Sequence, residues 1–226
     1  MSILISKDTT FIIQGITGRE AVNLTRENLD YGAQIVGGVT PGRAGRDVYG
    51  VPVYDCVRDI TSKHNVEGSV VSVPPKFTKD AVFEALENGI KLIVIVTERI
   101  PRREVAQMVE LAKLKDARII GPNCLGIFNP DTGFGRNRTD WEPGHVGFIS
   151  QSGNHTGAFM AEAEYNGVPV SKAISMGNGI IVDTTDYMDY LLHDPQTRVI
   201  GLFLEGIRDG RSFFTTLREV CRQKPV

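Results

Sequence analysis

Phe11-Ile12-Ile13-Gln14-Gly15-Ile16-Thr17-Gly18-Arg19-Glu20-Ala21 decides the reading of this chain. A short apolar β-run passes straight into a glycine-bearing turn and then into a helical pattern. Glycines there let the backbone turn sharply and carry its amide N–H groups close to a ligand, while the following helix offers its positive end to phosphate. Alone, the spacing G-x-x-G-x-x-A also fits a tight strand-to-helix turn with no ligand.

Outward from this stretch, the same alternation repeats. Gln34 to Val39, Ser69 to Val73, Leu92 to Val96 and Arg118 to Ile120 read as further buried strands, short and rich in Val and Ile. A helix N-capped by Thr78 is expected to bury Ala81, Val82, Ala85 and Leu86 and to end at Gly89. A second helix, with Pro101 in its first turn, carries the stripe Val105, Met108, Val109 and Ala112. β-α-β order of this kind predicts a parallel sheet covered by helices, here a Rossmann-like domain over residues 1–126. Residues 127–144 are rich in Gly, Pro, Asn and charge and read as a linker. Residues 145–226 resume the alternation. Strands Val146 to Ile149, Lys172 to Ser175 and Val199 to Leu204 are each followed by a helix: Asn154 to Tyr165, Thr184 to His193, and one in which Phe214, Leu217 and Cys221 share a face. The expectation is a partial flavodoxin-like α/β domain with three parallel strands, its edge open and Lys224-Pro225-Val226 entering a fourth strand, so that it is truncated or completed by another chain.

The 226 residues are 41% apolar and 23% charged, with a formal charge of −2. This is ordinary globular composition without the basic footprint of a nucleic-acid binder. The longest apolar run, Leu92 to Val96, is far shorter than the ~20 residues of a membrane span. Cys56, Cys124 and Cys221 are too few and too scattered for a disulfide framework or a metal knuckle. No signal peptide is apparent at Met1 to Lys7, and a cytoplasmic location is the default expectation.

Strand two ends in Gly37-Gly38-Val39-Thr40-Pro41-Gly42-Arg43-Ala44-Gly45-Arg46. A carboxylate for the ribose of NAD is missing, and two Arg suited to phosphate stand there instead. NADP or another phosphorylated nucleotide therefore remains open. The later strand endings Val73-Pro74-Pro75, Thr97-Glu98-Arg99-Ile100-Pro101 and Gly121-Pro122-Asn123-Cys124-Leu125-Gly126 belong on the same carboxyl edge, where open α/β sheets bind ligands.

As a set, Gln14-Gly15-Ile16-Thr17-Gly18, Gly37 to Gly42, Val73-Pro74-Pro75, Thr97 to Pro101 and Gly121 to Cys124 resemble the CoA-binding domain of the succinyl-CoA synthetase alpha subunit. The resemblance implies that Gly15, Thr17, Gly18 and Arg19 cradle the CoA phosphates and that Arg43, where the family usually has Lys, serves the 3′-phosphate region. It implies that Val73 and Pro74 line the adenine and pantetheine path, that Thr97 and Glu98 lie toward the thiol end, and that Asn123 and Cys124 lie near the thioester. In the second half, Ser150-Gln151-Ser152-Gly153-Asn154, Ser175-Met176-Gly177-Asn178, Asp194-Pro195-Gln196-Thr197 and Leu204-Glu205-Gly206 are similar to the ADP-forming acyl-CoA synthetases. Succinate-type members have Gly-Gly-Asp-Pro where this chain has Gly177-Asn178-Gly179-Ile180.

Both families imply an acid–thiol ligase working through an acyl phosphate and a phosphohistidine. ATP or GTP with Mg is then held by an ATP-grasp beta subunit or domain, with a carboxylic acid as the other substrate and room for a homo-oligomer. Ser152, Gly153 and Asn154 are expected to hold the phosphate, and Glu205 to orient the histidine as the catalytic residue. That histidine belongs after the strand entered at Lys224-Pro225-Val226. His64, His145, His155 and His193 all lie outside such a context, although His155-Thr156-Gly157 echoes the family's Ser-His-Thr-Gly loop. The chain alone is therefore expected to bind CoA without turnover. The rival readings are a non-catalytic CoA- or nucleotide-sensing module and an NADP-dependent oxidoreductase. Cys124 is expected to be a small buried thiol rather than a nucleophile.

Overall fold

The computed structural model describes residues 4–130 and 144–226. The first sheet is built from β1 (Thr10–Gln14), β2 (Gln34–Val39), β3 (Asp47–Val48), β4 (Val51–Tyr54), β5 (Gly68–Val71), β6 (Leu92–Ile95) and β7 (Arg118–Ile120), in the order β3-β4-β2-β1-β5-β6-β7. All pairings are parallel except the β3–β4 hairpin. The chain moves to one side of β1 through β2 and β4, then returns to its other side at β5. The order therefore reverses between β1 and β5, and a crevice opens at their carboxyl ends. Gln14 fixes this point from inside. Its Nε2 donates to the Ala81 carbonyl and its Oε1 accepts from the Ser69 hydroxyl, so a buried amide joins both central strands to a covering helix.

Helices α1 (Arg19–Asp30), α2 (Val57–Thr61), α3 (Pro75–Glu87) and α4 (Arg102–Leu114) cover the sheet. Val82, Ala85 and Leu86 of α3 and Met108 and Ala112 of α4 pack with Ile12, Val71, Ile93, Ile95 and Ile119 in one core. At about 25 cal/mol per Å² of apolar surface, this burial is what holds the layers together. Thr78 is not the N-cap of α3. Pro75 stands at the first helical position with Pro74 as the cap, because its fixed φ and missing N–H suit that position. Thr78 instead sits one turn inside, its hydroxyl donating back to the Pro74 carbonyl.

The second sheet has the order β11-β9-β10-β8, from β8 (Gly126–Phe128), β9 (Val146–Ser150), β10 (Val170–Ser175) and β11 (Val199–Phe203). The expectation of three strands is corrected here. β8 pairs antiparallel with β10 and supplies a fourth. This strand lies across the start of the expected linker, whose residues 131–143 fall outside the described residues. Helices α5 (Gly153–Tyr165), α6 (Thr184–His193) and α7 (Gly210–Val220) complete the domain. α6 begins on a capping box between Asp183 and Asp186. The buried face of α7 is Phe213 and Val220, with Leu217 packed against it, whereas Phe214 is 62% exposed and Cys221 is exposed. The apolar stripe is thus one residue earlier than the sequence pattern suggested. Pro225 extends along β11, its carbonyl accepting from the Ile200 N–H.

The domains share a core. Ile120, Cys124 and Ile127 belong to the same buried cluster as Ile149, Ile174, Met176, Met188 and Leu191. The turn after β7 is sewn to the loop after β10: Asn178 N donates to the Pro122 carbonyl, Ile180 N to the Gly121 carbonyl and Leu125 N to the Ser175 hydroxyl.

Candidate functional site at the joined sheet rims

The carboxyl ends of β1, β5 and β6 surround an open cleft of about 580 Å³, lined by Gly18, Arg19, Ser72, Val73, Pro74 and Thr97, with Glu98 and Arg99 at its edge. Gly15 is what lets the first turn approach this closely. Its φ is +86°, and a Cβ there would stand 2.4 Å from the Ser72 carbonyl oxygen. Gly18 N donates to the Gly15 carbonyl, closing the turn, and Gly18 caps α1 without a side chain of its own. The N-terminal turn of α1 thus stands at the cleft, with Gly18, Arg19 and Ala21 in its lining.

The rims are joined to one another. The Thr97 hydroxyl donates to the Val73 carbonyl at 2.7 Å, and the Thr97 carbonyl accepts from Asn123 N at 3.0 Å. Thr17 reaches sideways, its hydroxyl lying 3.2 Å from that of Thr40. Gly15, Thr17, Gly18, Arg19, Val73, Pro74, Thr97, Glu98 and Asn123 therefore form one connected edge. Arg43 stands exposed on the loop that Thr40 begins, outside the cleft lining. Cys124 is turned away from the cleft. It is 3% exposed in the interdomain core, its thiol donates to the Ile95 carbonyl, and burial pushes its pKa up to about 12 against the lesser pull of backbone hydrogen bonds.

Asp55 escaped the sequence reading. A single carboxylate oxygen accepts from the backbone N–H groups of Gly42, Arg43 and Ala44, and so shapes the loop that carries Arg43. The only sequence signal was an Asp directly after a short β-run, too common a pattern to single out.

The second rim is the turn between β9 and α5. Ser152 is the N-cap of α5, its hydroxyl accepting from His155 N. The Ser150 hydroxyl bridges Ser152 N and the Ser152 carbonyl, fixing the turn from below. Gly153 is half-buried and Asn154 exposed. Gln151 ties in the loop after β11: its Oε1 accepts from Glu205 N and Gly206 N, while its Nε2 donates to the Gly206 carbonyl. Glu205 is thereby held beside the turn, with its side chain exposed. Gln151 is the second residue that mattered and was read only as part of a motif.

The two rims meet. A Cβ on Gly153 would lie 3.2 Å from Leu125 Cγ, so the turn between β9 and α5 lies against the residue that follows Asn123 and Cys124. Gly177, at φ +58°, has the Pro122 and Asn123 carbonyls where a side chain would be. One continuous edge thus runs from the α1 N-terminus to the α5 N-terminus.

Known proteins share this arrangement. Residues 6–99 match the CoA binding domain, and residues 143–226 the succinyl-CoA ligase like flavodoxin domain. The alpha 2 subunit of an ADP-forming succinate–CoA ligase from Archaeoglobus fulgidus is 38% identical over all of this chain and 80% of its own length. A subunit of ADP-forming sulfoacetate-CoA ligase from Bilophila wadsworthia is 37% identical over 91% of this chain and 72% of its own. Among solved structures, a Pyrococcus horikoshii OT3 protein superposes with a TM-score of 0.87 at 29% identity over the whole chain, which spans 53% of it. The dinucleotide forming acetyl-coenzyme A synthetase 1 of Ca. Korarchaeum cryptofilum, solved with phosphate and ADP, gives 0.86 at 25% identity over 98% of this chain and 49% of its own. The chain therefore spans about half the length of each of these two solved structures. With both domains matched in order and relatives aligned along its length, the chain belongs to the alpha-subunit family of ADP-forming succinyl-CoA-type ligases.

Proposed function

We propose that this chain is the CoA-binding, alpha-type portion of an acid–thiol ligase that joins a carboxylic acid to coenzyme A through an acyl phosphate and a phosphohistidine. The observation that carries this reading is the contact of Gly153 with Leu125, which sets a phosphate-type helix turn against the end of the CoA-type rim. Gly15, Thr17, Gly18 and Arg19 hold the CoA pyrophosphate through backbone N–H groups and the Arg19 guanidinium. Val73 and Pro74 lie along the adenine and pantetheine path, with Thr97, Glu98 and Asn123 toward the thiol. Arg43, shaped by Asp55, takes the 3′-phosphate. Cys124 supports the path from beneath as a protonated thiol. The CoA thiol supplies the nucleophile that an acyl phosphate meets.

Ser152, Gly153 and Asn154 hold the phosphoryl group at the N-terminus of α5, and Glu205 orients the phosphohistidine. ATP or GTP with Mg, and the acid, belong to an ATP-grasp beta subunit or domain. The location is cytoplasmic; among the described residues no helix is long and apolar enough to cross a membrane. The first domain falls at about 1–125, and the second takes residues 145–226 together with the strand Gly126–Phe128. Alone, the chain binds CoA and does not turn over.

Isothermal titration of the 226-residue chain with CoA tests this. Saturation at one site, with NADPH giving no heat, is the expected result. Silence at millimolar CoA overturns the reading, and product formation from ATP, CoA and a carboxylic acid by the chain alone overturns the claim of inactivity.

A further inference from the structure

His155 is held in an unusual way for an exposed histidine in the first turn of a helix. Its ring stacks face to face on Phe203 of β11, with centroids 3.9 Å apart and planes 13° from parallel. In that pose Nδ1 lies 3.0 Å from the Ser152 hydroxyl oxygen, which also accepts from the His155 backbone N–H at 3.4 Å. A serine oxygen has two lone pairs and one proton to give. If the imidazole carries its proton on Nδ1, ring and backbone of His155 together fill both lone pairs. The Ser152 O–H then meets no acceptor among the described residues, and is left to donate outward.

We infer that His155 is a positioning residue for phosphoryl binding: clamped by Phe203 with its proton on Nδ1, it converts Ser152 from an ordinary helix cap into a dedicated O–H donor. An N-cap serine commonly spends its oxygen on a backbone N–H and leaves its own proton free to rotate. Here the second acceptor position is taken as well, so that proton has one direction left. A hydroxyl donating to an anion is among the stronger hydrogen bonds, and fixing it beforehand removes a cost otherwise incurred on binding. The inference rests on the proposed phosphate role of the Ser152–Asn154 turn and adds the residue that tunes it. Thr156, whose hydroxyl donates to the Ser152 carbonyl, holds the same turn from its other side.

The test uses the 226-residue chain and inorganic phosphate, followed through the backbone amide shifts of residues 153–155. His155→Phe keeps the stack on Phe203 and loses only Nδ1; His155→Asn keeps a donor at the Nδ1 position. Phosphate affinity is expected to fall about five- to tenfold in H155F, the equivalent of roughly one ordinary hydrogen bond. H155N is expected to recover most of that loss, and adding H155F to Ser152→Ala to produce no further fall. Unchanged affinity in H155F, or the same fall in the S152A background as in wild type, overturns the positioning role. A wild-type chain whose turn shows no shift with phosphate overturns the phosphate reading itself, and is thereby distinguished from failure of the role given to His155.

Discussion

Gln151 and Glu205 are joined side chain to backbone: the Gln151 carboxamide oxygen accepts the Glu205 N–H, and that of Gly206 beside it. A strand-end carboxylate is thus placed by a residue from the turn it faces. Gln151→Ala leaves both amides without this partner and should cost about 1–2 kcal/mol. Hydrogen exchange at Glu205 and Gly206 checks it: slow in wild type and fast in Q151A.

Gly177 packs directly against the turn after β7. Its φ of +58° and the Pro122 and Asn123 carbonyls at 2.2 and 2.4 Å from any Cβ leave no room for a side chain. Gly177→Ala should destabilise the chain by about 3 kcal/mol or more. Gly32→Ala, at φ +91° but with open space around it, should cost only about 1–2 kcal/mol. Urea midpoints of the two variants give the comparison; equal losses would mean that the domain contact is loose.

Lys172 and Asp194 form a buried ion pair at 3.0 Å, with Thr197 donating to the same carboxylate and Gln196 accepting from the ammonium. Burial pushes the Asp194 pKa up, but hydrogen bonds from Thr197 and Lys172 and the lysine charge outweigh it, so the net shift is downward. A lowered folded-state pKa adds stability above the unfolded value of about 3.9 and loses it as pH falls through the folded value. Below about pH 4, wild type should therefore lose stability more steeply than Asp194→Asn. Near neutrality, Lys172→Met should cost about 3 kcal/mol, because it strands a buried carboxylate. Melting curves from pH 3 to 8 read both effects on this scale.

Cys124 should behave as an inert core thiol. With its pKa pushed up to about 12, it offers almost no thiolate at neutral pH. Iodoacetamide on the folded chain should label exposed Cys221 and leave Cys124 untouched, as mass spectrometry of digests would read. Cys124 alkylated at the rate of Cys221 would contradict its burial.

Tyr187 is 1% exposed, and its hydroxyl finds no partner among the described residues. Burial, with the Asp186 and Asp183 charges adding to it, raises its pKa well above the ordinary tyrosine value. Tyr187→Phe removes an unsatisfied buried group and should be neutral or stabilising by up to about 1–2 kcal/mol, measured by denaturant midpoint.

Most of the parallel strands were legible as short runs rich in Val and Ile, Leu92 to Ile95, which is buried along its whole length, most plainly. Helix α6 was readable to its ends, since Thr184 and His193 bracket an unbroken 3.6-residue pattern. The β3–β4 hairpin was not. It is only six residues of pairing strand around Tyr49-Gly50, and Pro52 within it argues against a strand. β8 was hidden for a different reason: Gly126-Ile127-Phe128 is too short to signal anything until β10 pairs with it. The glycine turn, the proline-rich rims and the Ser-Gln-Ser-Gly turn were visible as motifs. What Gln151 and Asp55 do was not, because each works on backbone amides brought to it by folding, 55 and 11–13 residues away in sequence for the Gly206 and Gly42–Ala44 amides.

Hydrogen exchange of the whole chain with and without saturating CoA probes the joined rim most directly. Slowed exchange at residues 15–21, 72–77 and 97–99, continuing to 123–126, is the predicted footprint. Exchange unchanged along that edge, with protection appearing on the opposite ends of the strands or nowhere, would contradict the account.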